Sequence, residues 1–170
     1  VNSKKKGNGG ELALAKILSM ALGGSFVRSN ASGAFIGGKN SFRKKVLSEN
    51  QIRNTKGDIC PPDDMTHLVI ECKSYAMFRY HQIFQECPML DGWIAQARES
   101  SDSDDFWILV FKANRMPWSI VFDHALMAQF SLGNHAVYNN KTGRYVIADL
   151  DVFLTENKEM INQLGKDGLG

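Results

Sequence analysis

The chain has 170 residues, 44% of them apolar and 22% charged, which suits one globular domain with a core of its own and argues against a disordered or fibrous chain. Its three cysteines, Cys60, Cys72 and Cys87, are odd in number and form no CxxC pair, which weighs against a disulfide framework and a zinc site, and no apolar run approaches the roughly 18 residues of a membrane span. The net charge of +2 conceals an imbalance: residues 1–60 hold eleven Lys and Arg against three Asp and Glu, net +8, and residues 61–170 hold nine against fifteen, net −6.

Lys4 to Gly10 reads as a basic, glycine-rich lead. Residues 11–22 carry a helical stripe of Leu14, Ala15, Leu18 and Leu22, stopped by Gly23-Gly24. Glu11 suits the first turn of a helix, and its spacing also places it on the inward stripe, where a carboxylate is a candidate third acidic group for a metal centre. Residues 25–28 read as a short strand. The loop that follows, Arg28-Ser29-Asn30-Ala31-Ser32-Gly33, offers a guanidinium, hydroxyls and backbone N–H groups to a phosphate. From Gly33 to Gly57 the charges are Lys39, Arg43, Lys44, Lys45, Arg53 and Lys56 against Glu49 alone, an added strand or helix suited to gripping phosphate backbone; a solvated basic insertion accounts for the same charges.

The densest chemistry lies between Lys56 and Lys73. The apolar run His67 to Ile70 reads as a buried central strand, and strand alternation puts Glu71 and Lys73 on one face and Leu68, Ile70 and Cys72 on the other. Asp58 follows a glycine, and a hairpin through Pro61-Pro62-Asp63-Asp64 brings it beside Glu71. Two converging carboxylates suit a hard divalent cation such as Mg2+, and a metal-activated water attacking a phosphodiester is the chemistry this arrangement serves best, with Lys73 orienting the water. A turn aspartate and a Glu/Lys pair that merely closes a strand is the plain structural alternative.

Gly57-Asp58 followed by Glu71-Cys72-Lys73 resembles the active-site motif of the PD-(D/E)XK nuclease superfamily, with Gly57 where the family name has proline. With the early Glu11 and the Arg28-Ser-x-x-Ser-Gly loop, the chain is similar to the archaeal-type Holliday junction resolvases, a branch also found in phages, over roughly residues 7–75. The resemblance implies Glu11, Asp58 and Glu71 as metal ligands together with the Cys72 backbone carbonyl, and Lys73 as the catalytic lysine. It assigns Ser32 a part in catalysis, and Arg28, Ser29, Ser32, Arg43, Lys44, Lys45, Arg53 and Lys56 to DNA. Mg2+ is the implied cofactor, with Mn2+ as a substitute, and a homodimer acting on four-way junction DNA in the cytoplasm, of the host if the chain is phage-encoded, is the implied assembly. Glu and Lys at these spacings serve any duplex cutter, so a sequence-specific or nicking restriction-type endonuclease stays open, as does a non-catalytic DNA-binding module on the same fold.

From Ala76 to Ser100 the pattern is helical, with Pro88 ending or kinking the first piece. The second piece puts Leu90, Trp93, Ile94 and Ala97 on one side, and Gln96 matches a glutamine that several nucleases of the superfamily bring near the site. Phe106 to Phe111 and Trp118 to Phe122 read as core strands, and Trp107 and Trp118 as core rings ahead of base-stacking ones. A hairpin from His135 to Ile147, a closing helix from Asp151 to Leu164 and a frayed end from Gly165 complete the chain. The expected architecture is a single α/β domain with a central mixed β-sheet flanked by helices, a restriction-endonuclease-like core over residues 7–122 and a hairpin and helix extension over residues 123–170.

Overall fold

Two continuous apolar runs lie side by side as parallel strands in the middle of a sheet, β3 (Leu68–Tyr75) and β4 (Phe106–Ala113), with Leu68 opposite Phe106 and Glu71 opposite Leu109. Strands covered on both faces need no polar alternation, which is why these segments read as unbroken hydrophobic sequence. The computed structural model describes residues 3–29 and 56–170. Among them seven strands form one mixed sheet in the order β1-β2-β3-β4-β5-β7-β6. The others are β1 (Val27–Arg28), β2 (Ile59–Cys60), β5 (Ser119–Asp123), β6 (His135–Asn140) and β7 (Gly143–Asp149), and every neighbouring pair except β3 and β4 is antiparallel.

Helices cover both faces. On one, Leu68, Ile70, Ile108, Val110, Ile120 and Phe122 pack with Leu14, Leu18 and Leu22 of α1 (Ser3–Leu22) and with Phe153, Leu154 and Ile161 of α3 (Leu150–Asp167). On the other, Val69, Leu109, Phe111 and Val121 pack with Leu90, Trp93, Ile94 and Ala97 of α2 (Pro88–Glu99). This is the expected α/β domain with a restriction-endonuclease-like core. Trp107 is buried in it, and β7 of the C-terminal hairpin lies inside the sheet between β5 and β6. No helix among the described residues is long and apolar enough to cross a membrane.

Three local expectations are corrected. The glycine-rich lead belongs to α1, which begins at Ser3. Gly10 explains part of this: a Cβ there would stand 2.7 Å from the Ser74 Cβ, so the missing side chain lets the helix cross close over β3. Residues after Tyr75 form no first helix but bends and a 3-10 turn, Tyr80–Phe84, and Pro88 starts α2 instead of kinking it. Proline suits that first turn because its missing N–H would have had no helical partner. Finally, the C-terminus is docked. Helix α3 runs past Gly165, whose bare face seats Met65, the Gly165 carbonyl accepts the His67 N–H at 2.9 Å, and the Leu169 N–H donates to the Asp104 carbonyl at 2.9 Å.

Candidate active site

Strand β2 pairs with β3 only at Ile59 and Ile70, so the edge of β3 beyond Ile70 is left to the side chain of Asp58. The Asp58 N–H donates to the Ile70 carbonyl at 2.8 Å, and its Oδ2 accepts the Cys72 N–H at 2.9 Å. A carboxylate thus takes the place of a strand. The chain arrives through Gly57 at φ +67°, where a Cβ would overlap the Ile70 carbonyl. Proline, fixed near φ −65°, cannot occupy this position, which gives the departure from the family name a physical cause. Gly57→Ala is expected to cost at least about 2 kcal/mol and to lower Tm by roughly 4–8 °C, as differential scanning calorimetry would read.

Glu71 and Lys73 share the α2 face of β3, as alternation requires. Glu71 is fully buried. Its Oε1 accepts from Lys73 Nζ at 2.5 Å and from Gln96 Nε2, which α2 delivers from above. Its Oε2 is buried with no hydrogen-bond partner among the described residues. Burial, and then the nearby Asp58 charge, push the Glu71 carboxyl up to about 8. Lys73 also lies 4.0 Å from Asp58 Oδ2. Burial alone would lower its pKa, but Glu71 and Asp58 together outweigh that and raise it, so Lys73 stays an ammonium. The Cys72 thiol is pushed up by burial on the opposite face, which leaves it inert as a nucleophile.

The remaining expected residues fall around this centre. The carboxylate of Glu11 is engaged by Nε of Arg28, whose Nη2 donates to Asn8 Oδ1 at 3.0 Å. Ser29 is buried, and its backbone N–H donates to the Asp58 carbonyl at 2.9 Å. Lys56 turns inward, 2.6 Å from Asp105 Oδ2 and 2.9 Å from Asp102 Oδ2. Asp105 is itself buried, an anchoring role that sequence reasoning missed because the partners stand 49 positions apart. Ser32, Arg43, Lys44, Lys45 and Arg53 lie outside the described residues. Among the described residues no three His, Cys, Asp or Glu side chains gather into a group that would hold a metal ion.

A family model described as phage putative PDDEXK endonuclease matches residues 2–163, nearly the whole chain. The chain belongs to this family. No curated protein and no solved structure matches it. Asp58, Glu71 and Lys73, the three residues singled out by the sequence motif, lie together at β3, with Lys73 Nζ 2.5 Å from Glu71 Oε1 and 4.0 Å from Asp58 Oδ2. The family is one of nucleases, hydrolases of the phosphodiester bond.

Proposed function

We propose that this protein is a Mg2+-dependent, homodimeric endonuclease that resolves four-way DNA junctions by phosphodiester hydrolysis. The observation that carries the nuclease chemistry is the buried Oε2 of Glu71, which no donor group among the described residues reaches, beside a second carboxylate, Asp58, close enough for the two to share a proton when no cation is bound. A buried carboxylate oxygen with no donor costs free energy unless it neutralises or meets a cation. The donor set therefore fits a hard divalent ion: Asp58, Glu71 and the Cys72 carbonyl would hold it. The N–H and C=O of one strand residue point to the same side, so that carbonyl shares the Asp58 edge with the Cys72 N–H. Bound there, Mg2+ or Mn2+ would acidify a water and neutralise charge developing on the phosphate.

The chain's own residues do the positioning. Gln96 and Lys73 both occupy Oε1 of Glu71, which fixes the carboxylate plane and leaves Oε2 as its open donor. Lys73, held as an ammonium, is placed to hold the attacking water by hydrogen bonds and to attract the phosphate. Arg28, whose charge Glu11 offsets in the free protein, and Arg43, Lys44, Lys45 and Arg53 would supply contacts to the DNA backbone.

Junction preference is supported by the likeness of Glu11 and the Arg28 to Ser32 loop to junction resolvases, and a two-fold dimer would present two centres to the two symmetric cuts. The test compares a labelled four-way junction with linear duplex of the same arms, in Mg2+ or EDTA. Paired cuts in the junction alone, dependent on Mg2+, are expected. Equal cutting of linear duplex would leave the nuclease and remove the resolvase, and no cutting of either substrate in Mg2+ would remove both. Binding should weaken by orders of magnitude between 50 and 200 mM salt, as for about 6–10 phosphate contacts.

A further inference from the structure

Beyond Lys73, the same face of β3 carries one more side chain, Tyr75, which the chemistry of Asp58, Glu71 and Lys73 does not use. It is 42% exposed. Its ring centroid lies 4.9 Å from that of Trp93 on α2, with the planes 38° apart. Trp93 is in turn packed against Phe78, with centroids 5.7 Å apart, and Phe111, with centroids 5.6 Å apart, and is itself buried. A large ring supported from behind by a rigid aromatic cluster, yet open in front, is costly to leave in water and cheap to use for binding. Two strand positions separate it from Lys73, which is about 7 Å, close to the spacing of one nucleotide along a strand.

We propose that Tyr75 is a stacking platform for the nucleobase adjoining the phosphate to be cut. The inference rests on the nuclease reading and deepens it toward a substrate class. Inside a continuous duplex both faces of every base are already stacked, so a protein ring gains a partner only where the stack is interrupted. Tyr75 therefore selects DNA in which the base next to the cut has one free face, as at a branch point, a nick or the edge of a single-stranded segment.

The test measures cleavage of a four-way junction and of a nicked duplex carrying a single abasic site at each position around the cut in turn, by the native chain, Tyr75→Phe and Tyr75→Leu. At one position the native chain should lose roughly ten-fold in kcat/KM, the scale of one lost base–aromatic stack, mostly through KM. Tyr75→Leu should show that loss on intact DNA with no further loss on the abasic one, and Tyr75→Phe should behave as the native chain. Quenching of 2-aminopurine at the same position, read in EDTA so that nothing is cut, should vanish with Tyr75→Leu and persist with Tyr75→Phe. Equal abasic sensitivity of the native chain and Tyr75→Leu at every position overturns the platform while leaving the nuclease intact. Absence of any cleavage by the native chain in Mg2+ or Mn2+ overturns the nuclease reading itself, and the platform with it.

Discussion

Asp58→Asn is expected to lower single-turnover cleavage by on the order of a thousand-fold while leaving the fold at least as stable as the native one. Both halves follow from the same geometry. The amide oxygen of asparagine can still accept the Cys72 N–H, so the edge of β3 stays closed. What disappears is a negative charge beside Glu71, which removes both the proposed ligand for the cation and a repulsion that the metal-free site must otherwise absorb. Binding of DNA in EDTA should persist or tighten, because one charge of the wrong sign has gone. Thermal melting and a filter-binding titration run beside the cleavage assay separate these effects. A variant that cuts at the native rate would show that Asp58 holds no cation.

The second large effect is a dependence of stability on pH that a divalent ion should reverse. Burial and then the neighbouring Asp58 raise Glu71 from the ordinary carboxylate range to about 8. A group whose folded pKa lies above its unfolded value stabilises the fold while it stays protonated, and that stability is lost as pH rises. The window runs from about 4.5 to about 8, and the integrated loss is on the order of a few kcal/mol. In EDTA, Tm should therefore fall between pH 6 and pH 8.5. With excess Mg2+ or Mn2+ the fall should shrink or invert, since the ion takes the deprotonated carboxylate and displaces its proton. Glu71→Gln should flatten the EDTA profile and abolish the response to the ion. A Tm that rises with pH in EDTA would contradict the assigned direction.

Much of this centre was legible in the sequence because it depends on short-range geometry. Strand alternation places Glu71 and Lys73 together whatever the rest of the chain does, and the turn at Pro61 to Asp64 leaves little choice but to return Asp58 to the same edge. Helix α2 was legible for a similar reason: Leu90, Trp93, Ile94 and Ala97 form one apolar stripe. What escaped depended on distant partners. The spacing of Glu11 points it inward, but its engagement by Arg28 becomes visible only once β1 is beside α1. Lys56 reads as one more cation in a basic interval until the loop before β4 supplies Asp105 and Asp102. The glycines misled in the same way. Low helix propensity argues against a helix through Gly7, Gly9 and Gly10 and past Gly165, whereas close packing on Ser74 and Met65 overrides propensity at two of these positions.

The ties at Ser29 and Lys56 bear on how such an enzyme can vary. Ser29 is bonded to the backbone of Asp58, and Lys56 is clamped to the turn before β4, so the segment between them begins and ends on fixed posts close in sequence or space to Asp58. Changes in the length or sequence of residues 30–55 then need not move Asp58, because the entropy of closing a longer loop grows only slowly. On the proposed reading, the same carboxylate would then serve chains with different grips on DNA in this interval, at little cost to the fold.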